Sequence, residues 1–306
     1  MKYLASTLLV SLALVLPACG PKSDVPFTPQ ESAYFLAQDK VIDVDGVKVR
    51  YRDEGPQDGR AIVMVHGFTS SLETWDALAN DLKSEFRVIR LDLPGHGLTG
   101  PDPQARYTNE ESVQFLEGFL EAINVDKPIL VGSSLGGLLS WRVAANSDDL
   151  VSKLILIAPG GFPINGVGDD PVAVPMMVKL YLTKAPETGV NQATSVLFSD
   201  PSKLSVKRQK EVRDMMLVPG NGDALLARAA SFTLPDPTPD LAMVNVPSLL
   251  IWGQDDIMIP VTQAEKFVTA MPDAELIIYP NMGHLPQEES PEVVAKDVRK
   301  FLTDQE

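Results

Sequence analysis

The sequence predicts an α/β fold, a mostly parallel sheet with helices on both faces and one inserted segment. Three observations predict it. Short, largely apolar runs recur at 61–65, 87–91, 128–131, 154–158, 246–251 and 275–279, the pattern of strands buried on both faces. Between them, apolar residues fall at helical spacing, as in Val113, Leu116, Leu120 and Ile123, or Leu135, Leu138, Leu139 and Val143. Strands that alternate with helices build parallel sheets, because each crossover helix must cover a face. The third observation is local. Val131-Gly132-Ser133-Ser134-Leu135-Gly136-Gly137 sets a G-x-S-x-G motif at a strand-to-helix junction, where Ser134 sits on a sharp turn and side chains at the flanking glycines would collide with neighbouring backbone. Ser134 becomes the candidate nucleophile.

The N-terminus reads as a targeting segment. Met1-Lys2-Tyr3 is a short basic start, and residues 4–16 are largely apolar, the length of a signal-peptide core and short of the ~20 residues that span a bilayer. Leu16-Pro17-Ala18-Cys19 then places small residues before a cysteine. This resembles the lipobox of bacterial lipoproteins, which implies that Cys19 is lipidated and becomes the mature N-terminus. The resemblance implies a membrane contact through that lipid and a place in the bacterial cell envelope. Gly20 in place of Asp after the cysteine points to the outer membrane; a periplasmic or secreted protein is the alternative. Residues 1–18 are thus expected to be signal peptide. The stretch 19–38, polar and carrying Pro21, Pro26 and Pro29, is expected to be a tether outside the folded core.

The remaining elements follow in order. Residues 41–45 and 47–52 alternate around Gly46 as an edge hairpin. The run 61–65 ends in His66-Gly67-Phe68-Thr69, and 87–91 ends in Asp92-Leu93-Pro94-Gly95-His96-Gly97. Thr108 and Glu111 form a capping box that opens a helix. After Ala158-Pro159-Gly160-Gly161 the alternation stops, and residues 160–239 carry apolar clusters punctuated by Gly, Pro and Asp. These are expected to be helices of a cap over the site, with Met176, Met177, Met215 and Met216 as candidate linings of an adaptable pocket or as the cap's own core. The core, 39–159 and 240–306, resumes with Trp252-Gly253-Gln254-Asp255-Asp256, then Pro280-Asn281-Met282-Gly283-His284. Ser290-Pro291 opens a closing helix whose Val294, Val298 and Phe301 or Leu302 face the sheet.

Composition removes several function classes. The 306 residues carry Lys+Arg 26 against Asp+Glu 41, a net charge of -15. Such a surface repels phosphate backbones and argues against nucleic-acid binding. One cysteine leaves no intrachain disulfide and no cysteine-rich metal site. The histidines, at 66, 96 and 284, are too scattered to suggest a metal cluster. No cofactor and no metal are expected.

Serine is a poor nucleophile until a base takes its proton, and imidazole titrates near working pH. His284 is the histidine on a late loop. Together with the elbow and the chain order Ser, Asp, His, these motifs resemble the α/β-hydrolase superfamily. Within it, the Asp92-to-Gly97 turn, the elbow and Ala158-to-Gly161 look similar to bacterial family lipases, esterases and monoacylglycerol-lipase-like enzymes. The resemblance implies Ser134 as nucleophile, His284 as base and Asp256 as its orienting acid. The W-G-x-x-D-x-x-x-P spacing selects Asp256 over Asp255. It further implies an oxyanion hole from the backbone N–H groups of Phe68 and Leu135. His66, Asp92 and His96 are read as loop-bracing residues. The implied activity is hydrolysis of carboxylic esters, of a small-molecule or lipid-like substrate, through an acyl-enzyme. Ser134 argues against haloalkane dehalogenases and epoxide hydrolases, which place Asp there. Carbon–carbon bond hydrolases share the triad, but many carry Trp after the histidine where this chain has Leu285; they stand second. A lipid-anchored binding protein without turnover is the third reading.

Overall fold

The computed structural model describes residues 28–147 and 149–303. The signal-peptide and Cys19 expectations lie outside the described residues. A hairpin of β1 (Asp39–Val44) and β2 (Val47–Glu54) comes first, turning at Asp45 and Gly46, both at positive φ. Then follow β3 (Ala61–Val65), α1 (Asp76–Leu82), β4 (Arg87–Leu91), α2 (Asn109–Ala122), β5 (Ile129–Ser133), α3 (Leu135–Asn146) and β6 (Lys153–Ile157). Five helices come next: α4 (Met176–Lys184), α5 (Glu187–Ser195), α6 (Val206–Met216), α7 (Asn221–Ser231) and the short α8 (Thr238–Leu241). The chain closes with β7 (Ser248–Gly253), α9 (Ala264–Ala270), β8 (Ala274–Tyr279), α10 (Pro286–Glu289) and α11 (Pro291–Thr303).

The eight strands form one sheet in the order β1-β2-β4-β3-β5-β6-β7-β8. From β4 to β8 every neighbouring pair is parallel, whereas β2 runs antiparallel to both β1 and β4. Side chains alternate across the pleat. Val63 and Val65 of β3 therefore pack with Leu116, Leu138 and Phe267 on one face, and Ile62 and Met64 pack with Leu78, Leu82 and Val298 on the other. Helix α11 buries Val294, Ala295, Val298, Phe301 and Leu302, a stripe at helical spacing. Each fully buried large apolar side chain contributes roughly 1.5–3 kcal/mol. Helix α2 opens on the capping box read from sequence: Thr108 Oγ1 accepts from Glu111 N at 3.2 Å, and Glu111 Oε2 accepts from Thr108 N at 3.0 Å.

Two expectations are corrected. The stretch 19–38 is not all tether, because its end is packed on the core. Tyr34 and Phe35 lie against Leu98, Met215 and Val218. Tyr34 Oη donates to Asp214 Oδ2 at 2.5 Å, and the Tyr34 carbonyl accepts from Arg50 Nη2 at 2.8 Å. Composition made this stretch look like linker, and two aromatic residues within it supply a docking face that composition averages away. The methionine expectation also changes. Met176 and Met177 are 68% and 75% exposed on α4, Met216 is buried in the cap's own core, as one of the two readings had it, and Met215 packs with Leu98 and Val218 beneath Tyr34 and Phe35. Met258, on the loop after β7, is the methionine that reaches the site.

Candidate active site

Ser134 stands between β5 and α3 with φ 53 and ψ -115, outside the usual regions for an L-residue. Three bonds hold the turn. Ser134 N donates to Ile157 O at 3.0 Å, and the Ser134 carbonyl accepts from Leu138 N and Gly160 N, each at 3.0 Å. The glycines are required by close approach. A Cβ on Gly132 would lie 2.3 Å from Gly136 O, and one on Gly136 would lie 2.1 Å from Val65 O. Strain at Ser134 is thus over-determined by its surroundings.

The candidate acid and base come from the ends of the last two strands. Asp256 follows β7 and His284 follows β8. Asp256 Oδ2 lies 2.7 Å from His284 Nδ1, and Asp256 Oδ1 accepts from Met258 N at 2.8 Å and Ile259 N at 2.9 Å. Both side chains are buried. A carboxylate held from two backbone donors fixes the ring with Nδ1 protonated and leaves Nε2 as the acceptor. Asp255 points elsewhere, accepting from Ser199 Oγ at 2.7 Å. Ser134 and His284 face the same two cavities. Among the described residues Ser134 Oγ has no hydrogen-bond partner, a looseness common before substrate arrives.

Phe68 and Leu135 also line the first cavity, and among the described residues neither backbone N–H is donated to another protein group. Leu135 is the first residue of α3, so its N–H belongs to the positive end of a helix. Two free donors beside a serine hydroxyl can hold a developing oxyanion.

His66 and His96 brace this floor. His66 Nε2 accepts from Leu93 N at 3.0 Å, so its Nδ1, 2.8 Å from Gly67 O, carries the proton. Burial pushes its pKa down to about 4, and burial likewise holds His96 well below the ordinary value. Neither is placed to take a proton from Ser134. Asp92 accepts from Leu72 N and Leu98 N, each at 2.8 Å, and from Arg50 Nη1 at 3.1 Å, tying its own loop to the segment before α1 and to β2.

Sequence reasoning missed Glu289. Its carboxylate accepts from Gly283 N at 2.8 Å, Asp200 N at 2.9 Å and Ser199 N at 3.2 Å. His284 N in turn donates to Leu197 O at 2.7 Å. A loop of the inserted segment, residues 197–200, therefore holds the backbone around the candidate base. No local motif announces this, because the partners are remote in the chain.

Two cavities meet at Ser134. The first, about 270 Å³, is walled by Phe162, Ile164, Val167, Phe232 and Leu234. The second, about 330 Å³, runs along Tyr181, Leu182, Leu197 and Phe198 and ends near Arg208. Arg208 is neutralised by Glu288, with Nε and Nη2 at 2.9 and 3.0 Å from its carboxylate. Among the described residues no group of three or more His, Cys, Asp or Glu could hold a metal ion.

A sheet of this order, a serine elbow after β5, an acid after β7 and a histidine after β8 define the α/β-hydrolase class. The Alpha/beta hydrolase family model matches residues 62–297, and the chain belongs to that family of hydrolases. It is 31% identical over 265 residues to the "Dihydrolipoyllysine-residue acetyltransferase component of acetoin cleaving system" of Pseudomonas putida, covering 85% of this chain and 68% of that one. It is 27% identical over 266 residues to the "2-hydroxy-6-oxo-6-phenylhexa-2,4-dienoate hydrolase" of Burkholderia cepacia, covering 83% and 91%. Among solved structures it resembles a serine hydrolase involved in carbazole degradation, with TM-score 0.77, 25% identity and coverage of 87% and 99%.

Proposed function

We propose that this hydrolase cleaves carboxylic esters through an acyl-enzyme on Ser134. The observation that carries the reading is the 2.7 Å contact of Asp256 with His284 at the rim of two cavities shared with Ser134. His284 Nε2 takes the Ser134 proton as Oγ attacks the ester carbonyl, and the N–H groups of Phe68 and Leu135 hold the oxyanion. The carbonyl re-forms, the C–O bond to the alcohol breaks, and the alcohol leaves with the proton from His284. Water, deprotonated by His284, then attacks the acyl-enzyme and releases the acid with Ser134 restored. The apolar walls suit acyl chains of medium length.

A fluorophosphonate probe and p-nitrophenyl esters of rising chain length test this. Labelling that disappears in Ser134→Ala, with rates that rise beyond acetyl, is the expected result. Unlabelled native protein, or ester hydrolysis that survives Ser134→Ala, would overturn it.

Carbon–carbon bond cleavage is the second reading, supported by likeness to the dienoate hydrolase. Leu285 after the base weighs against it. Turnover of a ring-fission dienoate faster than of any ester would reverse the order. We further propose that Cys19 carries the lipid that anchors the protein in the envelope, at the outer membrane. Metabolic labelling with a fatty acid that Cys19→Ser retains would refute it.

A further inference from the structure

The first cavity contains a cation with no counter-charge. Arg228 on α7 is 2% exposed and lines this cavity, whose walls carry no Asp or Glu. Its guanidinium donates from Nη1 to Ser112 Oγ at 2.7 Å and from Nη2 to Pro94 O at 3.4 Å, and lies 5.6 Å from the centre of the Tyr107 ring. These partners are neutral. Among the described residues no carboxylate stands within ion-pair distance of Arg228; Glu111, the acid whose field reaches it, is engaged at the cap of α2. The contrast is Arg208 in the second cavity, whose side chain is 13% exposed and paired to Glu288. Burial pulls the Arg228 pKa down to about 10, so the group remains charged at neutral pH, its burial cost offset by neutral hydrogen-bond acceptors, the Tyr107 ring and the field of Glu111 but by no direct ion pair.

A guanidinium held only by neutral acceptors, on a residue that lines an apolar chamber, is complementary to a carboxylate, which it can engage with paired N–H groups in a low-dielectric setting. We propose that the substrate arm entering this cavity carries a carboxylate, which Arg228 pairs while the scissile carbonyl lies at Ser134. This rests on the ester reading and narrows its substrate class to acidic esters. Arg228 acts as a specificity residue that rejects neutral isosteres, because they leave the buried cation unpaired.

Two matched pairs test it. The first is mono-p-nitrophenyl adipate against its methyl ester, with the carboxylate on the acyl arm. The second is 4-acetoxybutanoate against its methyl ester, with the carboxylate on the alcohol arm. Wild type is expected to favour the anionic member of at least one pair by about tenfold or more in kcat/KM. Arg228→Met should collapse that ratio, Arg228→Lys should retain part of it, and Ser112→Ala, which removes a neutral contact only, should keep it. Fluorophosphonate labelling of Ser134 in each variant establishes that the fold is intact. A preference for the neutral member in both pairs, or an Arg228→Met variant that slows both members equally, would overturn the inference. If no ester is turned over, the ester reading fails by itself. The carboxylate inference is then decided by binding: hexanoate should raise the melting temperature of wild type but not of Arg228→Met, and equal effects on both, or none, would sink it.

Discussion

Asp256 and His284 illustrate how much one oxygen can decide. Asp256→Asn keeps an acceptor for Met258 N and Ile259 N but turns an N–H toward Nδ1, which favours the wrong imidazole tautomer. A fall in kcat of about 10⁴ is expected, with little change in fold, from steady-state kinetics and circular dichroism. Gly136→Ala forces a Cβ to 2.1 Å from Val65 O, and since backbone must shift there, loss of Ser134 labelling should accompany a lower melting temperature. His66 governs an acid limb of stability. Its folded pKa, about 4, lies below the ordinary 6.5, so the neutral form is the one the fold binds. The stability this gives is fully present above pH 6.5 and is lost as pH falls toward 4, by up to about 3 kcal/mol. His96 acts with the same sign. Burial, which penalises the charged ring, is the physical cause, and protonating Nε2 would also set a second donor against Leu93 N–H. Urea midpoints followed from pH 7 to pH 4 should fall for wild type and fall less for His66→Gln.

At the scale of elements, signals confined to neighbouring residues were legible and those spread along the chain were not. The capping box of α2 is written within four positions, and Thr108→Ala should cost about 1 kcal/mol in equilibrium unfolding. The elbow is equally local, since G-x-S-x-G states both the turn and the crowding that demands glycine. Asp256 could be separated from Asp255 by spacing to Trp252 and Pro260. Glu289 could not be read, because Ser199, Asp200 and Gly283 become its neighbours only after folding. Replacing it with Gln leaves one acceptor oxygen for three N–H donors. A stability loss of about 1.5–3 kcal/mol is expected, with kcat reduced more than KM because the base is displaced rather than the pockets reshaped.

For the whole molecule, strand-helix alternation was enough to foresee a parallel sheet, since burial on both faces leaves that period in the sequence. Where the folded unit begins was misjudged, because packing of Tyr34 and Phe35 depends on Met215 and Val218 far along the chain. Relative to a chain that begins at residue 28, one that begins at residue 39 should be less stable by about 2 kcal/mol in urea unfolding, as apolar area and the Arg50 acceptor are lost. The link from Leu197, Ser199 and Asp200 to the loop carrying His284 has an engineering consequence. Any chimera that exchanges the inserted helices for those of a cousin replaces the scaffold under its own proton acceptor. Grafts that preserve residues 197–200 together with Glu289 should turn over substrate, and grafts that exchange one without the other should fold yet stay idle.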